Sequence, residues 1–141
     1  MFFSKTCEYA FRAAVEIALA SRQGERLTLP MVATRTEAPE AFIAKVLQSL
    51  ARAGVIHSHR GPHGGFDLPP GLAARVNLRM VMQAVGEDLE QQHCVMGLRQ
   101  CGSDDPCPMH FEFIGMKREM GRIIDNTYLD HFTGNLKKGK K

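Results

Sequence analysis

Apolar positions recur at helical intervals from the start of the chain. Phe11, Ala14, Val15, Ala18 and Leu19 share one side of residues 4–22, while Glu8, Arg12 and Glu16 recur on another. That pattern predicts a long amphipathic helix from Ser4 to Arg22, ended by Gln23-Gly24. Thr28 is placed to cap a second, short helix with Pro30 in its first turn and Leu29, Met31 and Val32 as apolar contacts. Thr34 to Ala38 reads as a polar break. A third helix is expected from Pro39, a residue suited to the first helical position. Ile43, Val46, Leu47 and Leu50 form its apolar stripe, Phe42 widens it, and Gly54 stops the helix. Glu40, Ala41, Ala44, Lys45, Gln48 and Arg52 are left for the outer side.

The period then changes. Val55 to His59 and Phe66 to Leu68 read as short strands around Arg60-Gly61-Pro62-His63-Gly64-Gly65, where glycine and proline supply the turn. Pro69-Pro70 closes the unit. Three helices and a hairpin in this order are the plan of a winged helix-turn-helix, set against a generic small α+β domain with a glycine-rich turn. Asn77 caps a short helix over Leu78–Val85. From Glu87 to Pro108 there is no periodicity, and five acidic residues and three cysteines mark a loop. A long helix resumes near Met109 and runs to about Asp125. Phe113, Met116, Met120 and Ile123 in it follow the 3-4-3 spacing of two packed helices. Thr127 is placed to cap a final short helix carrying Tyr128, Leu129 and Phe132, and disorder is expected from Thr133. The fold class is therefore mainly α with a small β-hairpin. Its parts are a winged helix-turn-helix domain (1–86), a cysteine-containing loop (87–108), a dimerisation helix with a short terminal helix (109–132), and a basic tail (133–141).

Composition narrows the class. The 141 residues, 44% hydrophobic and 23% charged, suit one small domain with an appendage and exclude a disordered chain. A chain near this length buries roughly 70% of its unfolded surface, enough for a core. No window approaches the ~20 uninterrupted apolar residues of a membrane span. Lys5, Glu8, Arg12 and Glu16 break the apolar N-terminus, which argues against a signal peptide and for the cytoplasm.

The net charge of +3 conceals a division. Residues 1–86 carry ten Lys/Arg against six Asp/Glu, residues 87–136 carry four against nine, and Lys137, Lys138, Lys140 and Lys141 follow. A basic first half on an acidic second half points to two functions on one chain. The basic half suits double-stranded DNA. A recognition helix in the major groove needs short or polar outer residues, and Pro39, Glu40, Ala41, Ala44, Lys45 and Gln48 supply them. Glu40 is suited to a cytosine amine, Gln48 to adenine, and Lys45 to guanine or phosphate; the alternative for each is an ordinary solvated face. Arg60, with His57, His59, His63, Gly64 and Gly65 around it, would carry charge from the wing toward phosphate or the minor groove.

Cys94, Cys101 and Cys107 fall within fourteen residues, and His110 follows three residues after the last. In a chain read as cytoplasmic, such a cluster points to metal or redox chemistry before disulfides. Thiolates favour zinc or an iron–sulfur cluster, and the spacing does not separate the two. Cys7, alone on an apolar helix, reads as a small buried hydrophobe. No nucleophile–base pair and no phosphate-cradling motif argues for an enzyme.

Taken together, the run ARAGVIHSHRGPHGGFDL, with Ala53-Gly54-Val55 and Arg60-Gly61-x-x-Gly64-Gly65, the three-cysteine loop and the long helix resemble the Rrf-two family of bacterial regulators. The similarity is to its iron–sulfur members, the IscR, NsrR and RirA type, and covers about residues 1–132. It implies a homodimeric transcription regulator on a palindromic operator, whose cluster responds to redox state, nitric oxide or iron and cluster status and sets DNA affinity. It implies that Cys94, Cys101 and Cys107 are ligands, with a fourth from either His110 or Glu8, the latter acting from the partner subunit. A first gap one residue longer than in the iron–sulfur-biogenesis type, and Glu8 in place of the usual Asp, leave both 2Fe–2S, the favoured form, and 4Fe–4S open. The other readings are a zinc-binding or thiol-switch regulator on the same fold, and a zinc-dependent RNA-binding or protein-interaction module.

Overall fold

The computed structural model describes residues 3–89 and 108–139, the last five by their backbone alone. The amphipathic N-terminal segment is helix α1, Lys5–Arg22, and Ser4 caps it by accepting a hydrogen bond from Cys7 N. Its buried side, Ala10, Ala13, Ala14, Ile17 and Ala18, is mostly alanine, so neighbouring helices approach closely. Helix α2, Leu29–Thr36, and helix α3, Glu40–Arg52, both pack on α1 and on each other. Ile43, Val46, Leu47 and Leu50 of α3 are buried, as their spacing predicts.

Several boundaries differ from the sequence expectation. Thr28 takes the capping backbone conformation but makes no side-chain cap bond. The expected polar break at Thr34 starts later, because Thr36 buries its side chain and donates from Oγ1 to the Val32 carbonyl at 2.8 Å. The turn into α3 is made by Glu37, a non-glycine residue with φ 56°. Pro39 stands just before the first helical position rather than in it, its carbonyl accepting from Ile43 N. Gly54, with φ 80°, ends the unit as expected.

The hairpin is shorter than its apolar run. Strand β1 is His57–His59 and strand β2 is Gly65–Asp67, paired antiparallel with Ser58 opposite Phe66. Val55 and Ile56 precede the strand as buried core residues, and Leu68 follows β2 with its N–H on Ser21 Oγ at 2.8 Å. Leu27 adds a further rung outside the hairpin, exchanging two backbone hydrogen bonds with Phe66 at 3.1 and 2.8 Å.

Helix α4, Leu78–Ala84, is capped by Asn77, whose side chain accepts from Met80 N. Helix α5 spans His110–Asp125 and helix α6 spans Leu129–Gly139. Thr127 does not cap α6. Its hydroxyl donates to the Ile123 carbonyl at 2.7 Å and closes α5, while His131 Nδ1 accepts from Tyr128 N. In place of the expected disordered tail, the backbone stays helical from Thr133 to Gly139. Thr133 is the reason at its start: it is buried, donates to the Asp130 carbonyl and accepts from Arg22 of α1.

Two apolar clusters result. The larger joins α1, α2, α3, the hairpin base and the start of α6. The smaller holds Cys7, Met82, Leu89 and Ile124, with Phe3, Phe11, Leu78 and Met120 packed around it. Among the described residues, no helix is long and apolar enough to cross a membrane. Glu37 sits in a conformation that disfavours a side chain bearing Cβ. Glu37→Gly is therefore expected to stabilise the fold by about 1 kcal/mol, read as a raised thermal midpoint. An unchanged or lowered midpoint would show that the turn carries no strain.

Candidate nucleic-acid interface and the cysteine segment

Burying one stripe of α3 leaves the other to solvent. Glu40, Ala41, Lys45 and Gln48 are exposed, Ala44 is half-buried, and Pro39 stands exposed at the helix start. The surface is short at Ala41 and Ala44 and polar at Glu40, Lys45 and Gln48, a shape that admits base edges. Every α3 residue expected on the outer side is thus exposed or half-buried.

The wing is built by close backbone approach. A Cβ on Gly64 would lie 2.4 Å from the His59 carbonyl oxygen, and one on Gly65 would lie 2.8 Å from the Leu27 carbonyl oxygen. Gly65 also has φ 136°, so both positions need glycine. The closed turn leaves Arg60 and His63 exposed at its end, and Arg60 makes no ion pair among the described residues. His59, by contrast, turns back: its Nε2 lies 2.9 Å from Asp67 Oδ1. A carboxylate only accepts, so that nitrogen carries the proton in this pair. Arg26 completes the arrangement, donating from Nε to Asp67 Oδ2 at 3.0 Å and from Nη1 to the His63 carbonyl at 3.0 Å. Burial acts to raise the Asp67 carboxyl, but the hydrogen bonds and charges of His59 and Arg26 outweigh it and hold Asp67 below the ordinary aspartate range.

Cys94, Cys101 and Cys107 lie outside the described residues, but both ends of their segment are described. The chain leaves from Leu89, buried in the cluster that contains Cys7 and Ile124, and returns at Pro108 just ahead of α5. Cys7 behaves as the sequence indicates. It is fully buried, and burial, together with a hydrogen bond to Glu87 and the nearby Glu8 charge, pushes its thiol far up. These effects disfavour the thiolate that a metal ligand would need.

Glu8 is half-buried in the first turn of α1, one residue beyond Cys7. His110 is half-buried at the opposite end of α5 from Ile124. Fourteen residues of helix separate His110 from Ile124, roughly 20 Å at 1.5 Å per residue. The described residues contain no cluster of three or more candidate metal ligands.

Helix α5 is bound to the winged-helix body at its C-terminal end. Arg79 donates from Nε and Nη2 to the two Asp125 carboxylate oxygens at 2.6 and 3.3 Å, and Asn77 Nδ2 donates to the Asp125 carbonyl at 3.1 Å. Gly121 makes room for this contact, since a Cβ there would lie 3.0 Å from Arg79 Nη2. The expected seam is open on the outside: Met116 and Ile123 are 52% and 41% exposed, Phe113 and Met120 are half-buried, and Met109 extends the same register at 42%. Sequence reasoning missed Met109, although its spacing of four from Phe113 was available.

A winged helix with an open recognition surface and a hydrogen-bonded wing, followed by a helix with an exposed apolar seam, is the architecture of a DNA-binding transcription regulator. The sequence model of the Rrf2 family, described as an iron-dependent transcriptional regulator, matches residues 3–135, and the chain belongs to that family. The HTH-type transcriptional regulator IscR of Pectobacterium atrosepticum is 27% identical over 127 residues, covering 90% of this chain and 76% of its own. Among solved structures, IscR of T. potens superposes with a TM-score of 0.73 at 16% identity, covering 99% of this chain and 90% of that one. CymR of B. subtilis, named as the global cysteine regulator of that organism, also scores 0.73, at 15% identity over 94% of this chain and 96% of that one.

The lowered Asp67 carboxyl fixes the sign of one pH effect. A group depressed in the folded state adds stability above its unfolded value and loses it as pH falls through the folded one. Asp67→Asn should therefore lie below wild type in thermal midpoint near neutrality, with the gap closing below the ordinary aspartate range. A gap that persists in strong acid would remove the ionised carboxylate as its cause.

Proposed function

We propose that this Rrf2 protein acts as a homodimer on a palindromic operator in the cytoplasm, and that an iron–sulfur cluster held by Cys94, Cys101 and Cys107 sets its DNA affinity. The α5 seam carries the reading. Met109, Phe113, Met116, Met120 and Ile123 repeat at heptad spacing with three of the five exposed, an apolar row that a second copy would cover. Such a pairing joins two winged helices across one axis, and a dimer of that kind reads two half-sites of a duplex.

The donor set fits the cluster. Three cysteines within fourteen residues supply soft ligands, and His110 or the partner subunit's Glu8 supplies the fourth. Bound there, the cluster would supply chemistry sensitive to oxidation, nitric oxide and iron supply. The chain's own residues provide the rest. Leu89 anchors one end of the cysteine segment in the core, Pro108 joins its other end to α5, and Arg79 with Asp125 ties α5 to the winged helix. The chain is thus built to link the cysteine segment to the placement of α3.

A second reading, a thiol-switch regulator without metal, draws support from the structural likeness to CymR. A visible spectrum of anaerobically purified protein, with iron and sulfide assays, separates the two. The cluster reading expects a coloured protein with iron and acid-labile sulfide. Cys101→Ala should then lose the chromophore and change operator affinity while staying dimeric, and either His110→Ala or Glu8→Ala should lose cluster retention. A colourless, iron-free anaerobic preparation, or operator affinity unchanged in Cys101→Ala, would overturn it.

A further inference from the structure

The wing is held by a side chain that lies outside it. Arg26, in the connection between α1 and α2, reaches both sides of the hairpin turn: its Nε contacts Asp67 on β2 and its Nη1 contacts the His63 carbonyl in the turn. Asp67 is filled from the other side by His59 of β1, so each carboxylate oxygen has one partner. The next residue, Leu27, pairs with Phe66 through backbone hydrogen bonds. Arg60 sits between the residues so fixed, directly after His59 and three before His63, and is itself exposed and outside the network.

We propose that Arg26 is a positioning residue for DNA binding. By joining Asp67 to the His63 carbonyl, it fixes the direction in which Arg60 leaves the wing, and it does not contact the duplex itself. Exposed ion pairs add little stability when isolated, but a network with directed donors restricts geometry. Two-stranded hairpins are marginal alone, and here an anchor 41 residues away in sequence from Asp67 supplies the constraint. The proposal rests on DNA binding through the wing.

The test is a double-mutant cycle on a duplex selected by the protein from a randomised pool, with affinity measured across salt concentrations. Arg26→Ala is expected to weaken binding roughly three- to tenfold with the salt slope of wild type, because no phosphate contact is lost. Arg60→Ala should weaken binding and lower the slope, and the Arg26→Ala/Arg60→Ala double variant should bind no worse than Arg60→Ala. Asp67→Ala cuts the same link from the other side and should match Arg26→Ala, which guards against a folding defect peculiar to one variant. Additive losses with a reduced slope in Arg26→Ala would make Arg26 a direct contact and overturn the proposal, as would unchanged affinity in Arg26→Ala beside a weakened Arg60→Ala. Wild-type affinity in Arg60→Ala would instead remove the role of the wing itself.

Discussion

Arg79 meeting Asp125 beside Gly121, together with the Leu78–Thr127 and Leu129–Val76 backbone hydrogen bonds, relates the two halves of this molecule. Helix α4 belongs to the winged-helix body and α5 carries the seam, and these charge-assisted hydrogen bonds, backed by Asn77 on the Asp125 carbonyl, fix one against the other. Gly121 leaves room beside the contact, since a Cβ there would lie 3.0 Å from Arg79 Nη2 and press on the guanidinium. Ile124 and Met120 add apolar contact beside it, in the same cluster that buries Leu89 and Cys7. The departure point of the cysteine segment, the start of α1 and the C-terminal end of α5 thus share one small core.

The same economy appears at the wing. Its backbone is closed by Gly64 and Gly65, paired to Leu27, and held by Arg26 and His59 on a single carboxylate. Groups that face inward are satisfied, and Arg60 is left outward. Helix α3 divides in a similar way, with an aliphatic stripe on the core and a short, polar stripe outside. Some cations of the first half, such as Arg60, are thus left exposed, while others, such as Arg26 and Arg79, pair with carboxylates within the fold.

The helices were legible because periodicity and caps are local properties. Ser4, Asn77 and Gly54 mark boundaries that the backbone obeys. The recognition surface was legible as the complement of the Ile43, Val46, Leu47 and Leu50 stripe. The hairpin was read too long because an apolar pair such as Val55-Ile56 looks the same in a strand and in a core-filling turn. Thr127 was misread because His131, four residues on, takes the capping role that composition assigns to a hydroxyl. At Thr133 the helix meets Arg22, more than a hundred residues earlier, and no local pattern carries that contact. For the site, the cysteine spacing was plain, whereas the burial of Cys7 beside Leu89 and Ile124 joins distant parts of the chain and lies beyond any spacing rule.

The proposed dimer holds two winged helices at a set separation on one duplex through α5. Inserting five base pairs, about half a helical turn, between the half-sites of a duplex selected from a randomised pool tests it most directly. Fixed separation predicts that affinity falls toward the non-specific level, a loss of at least about a hundredfold. Affinity unchanged by the insertion would contradict a rigidly spaced dimer.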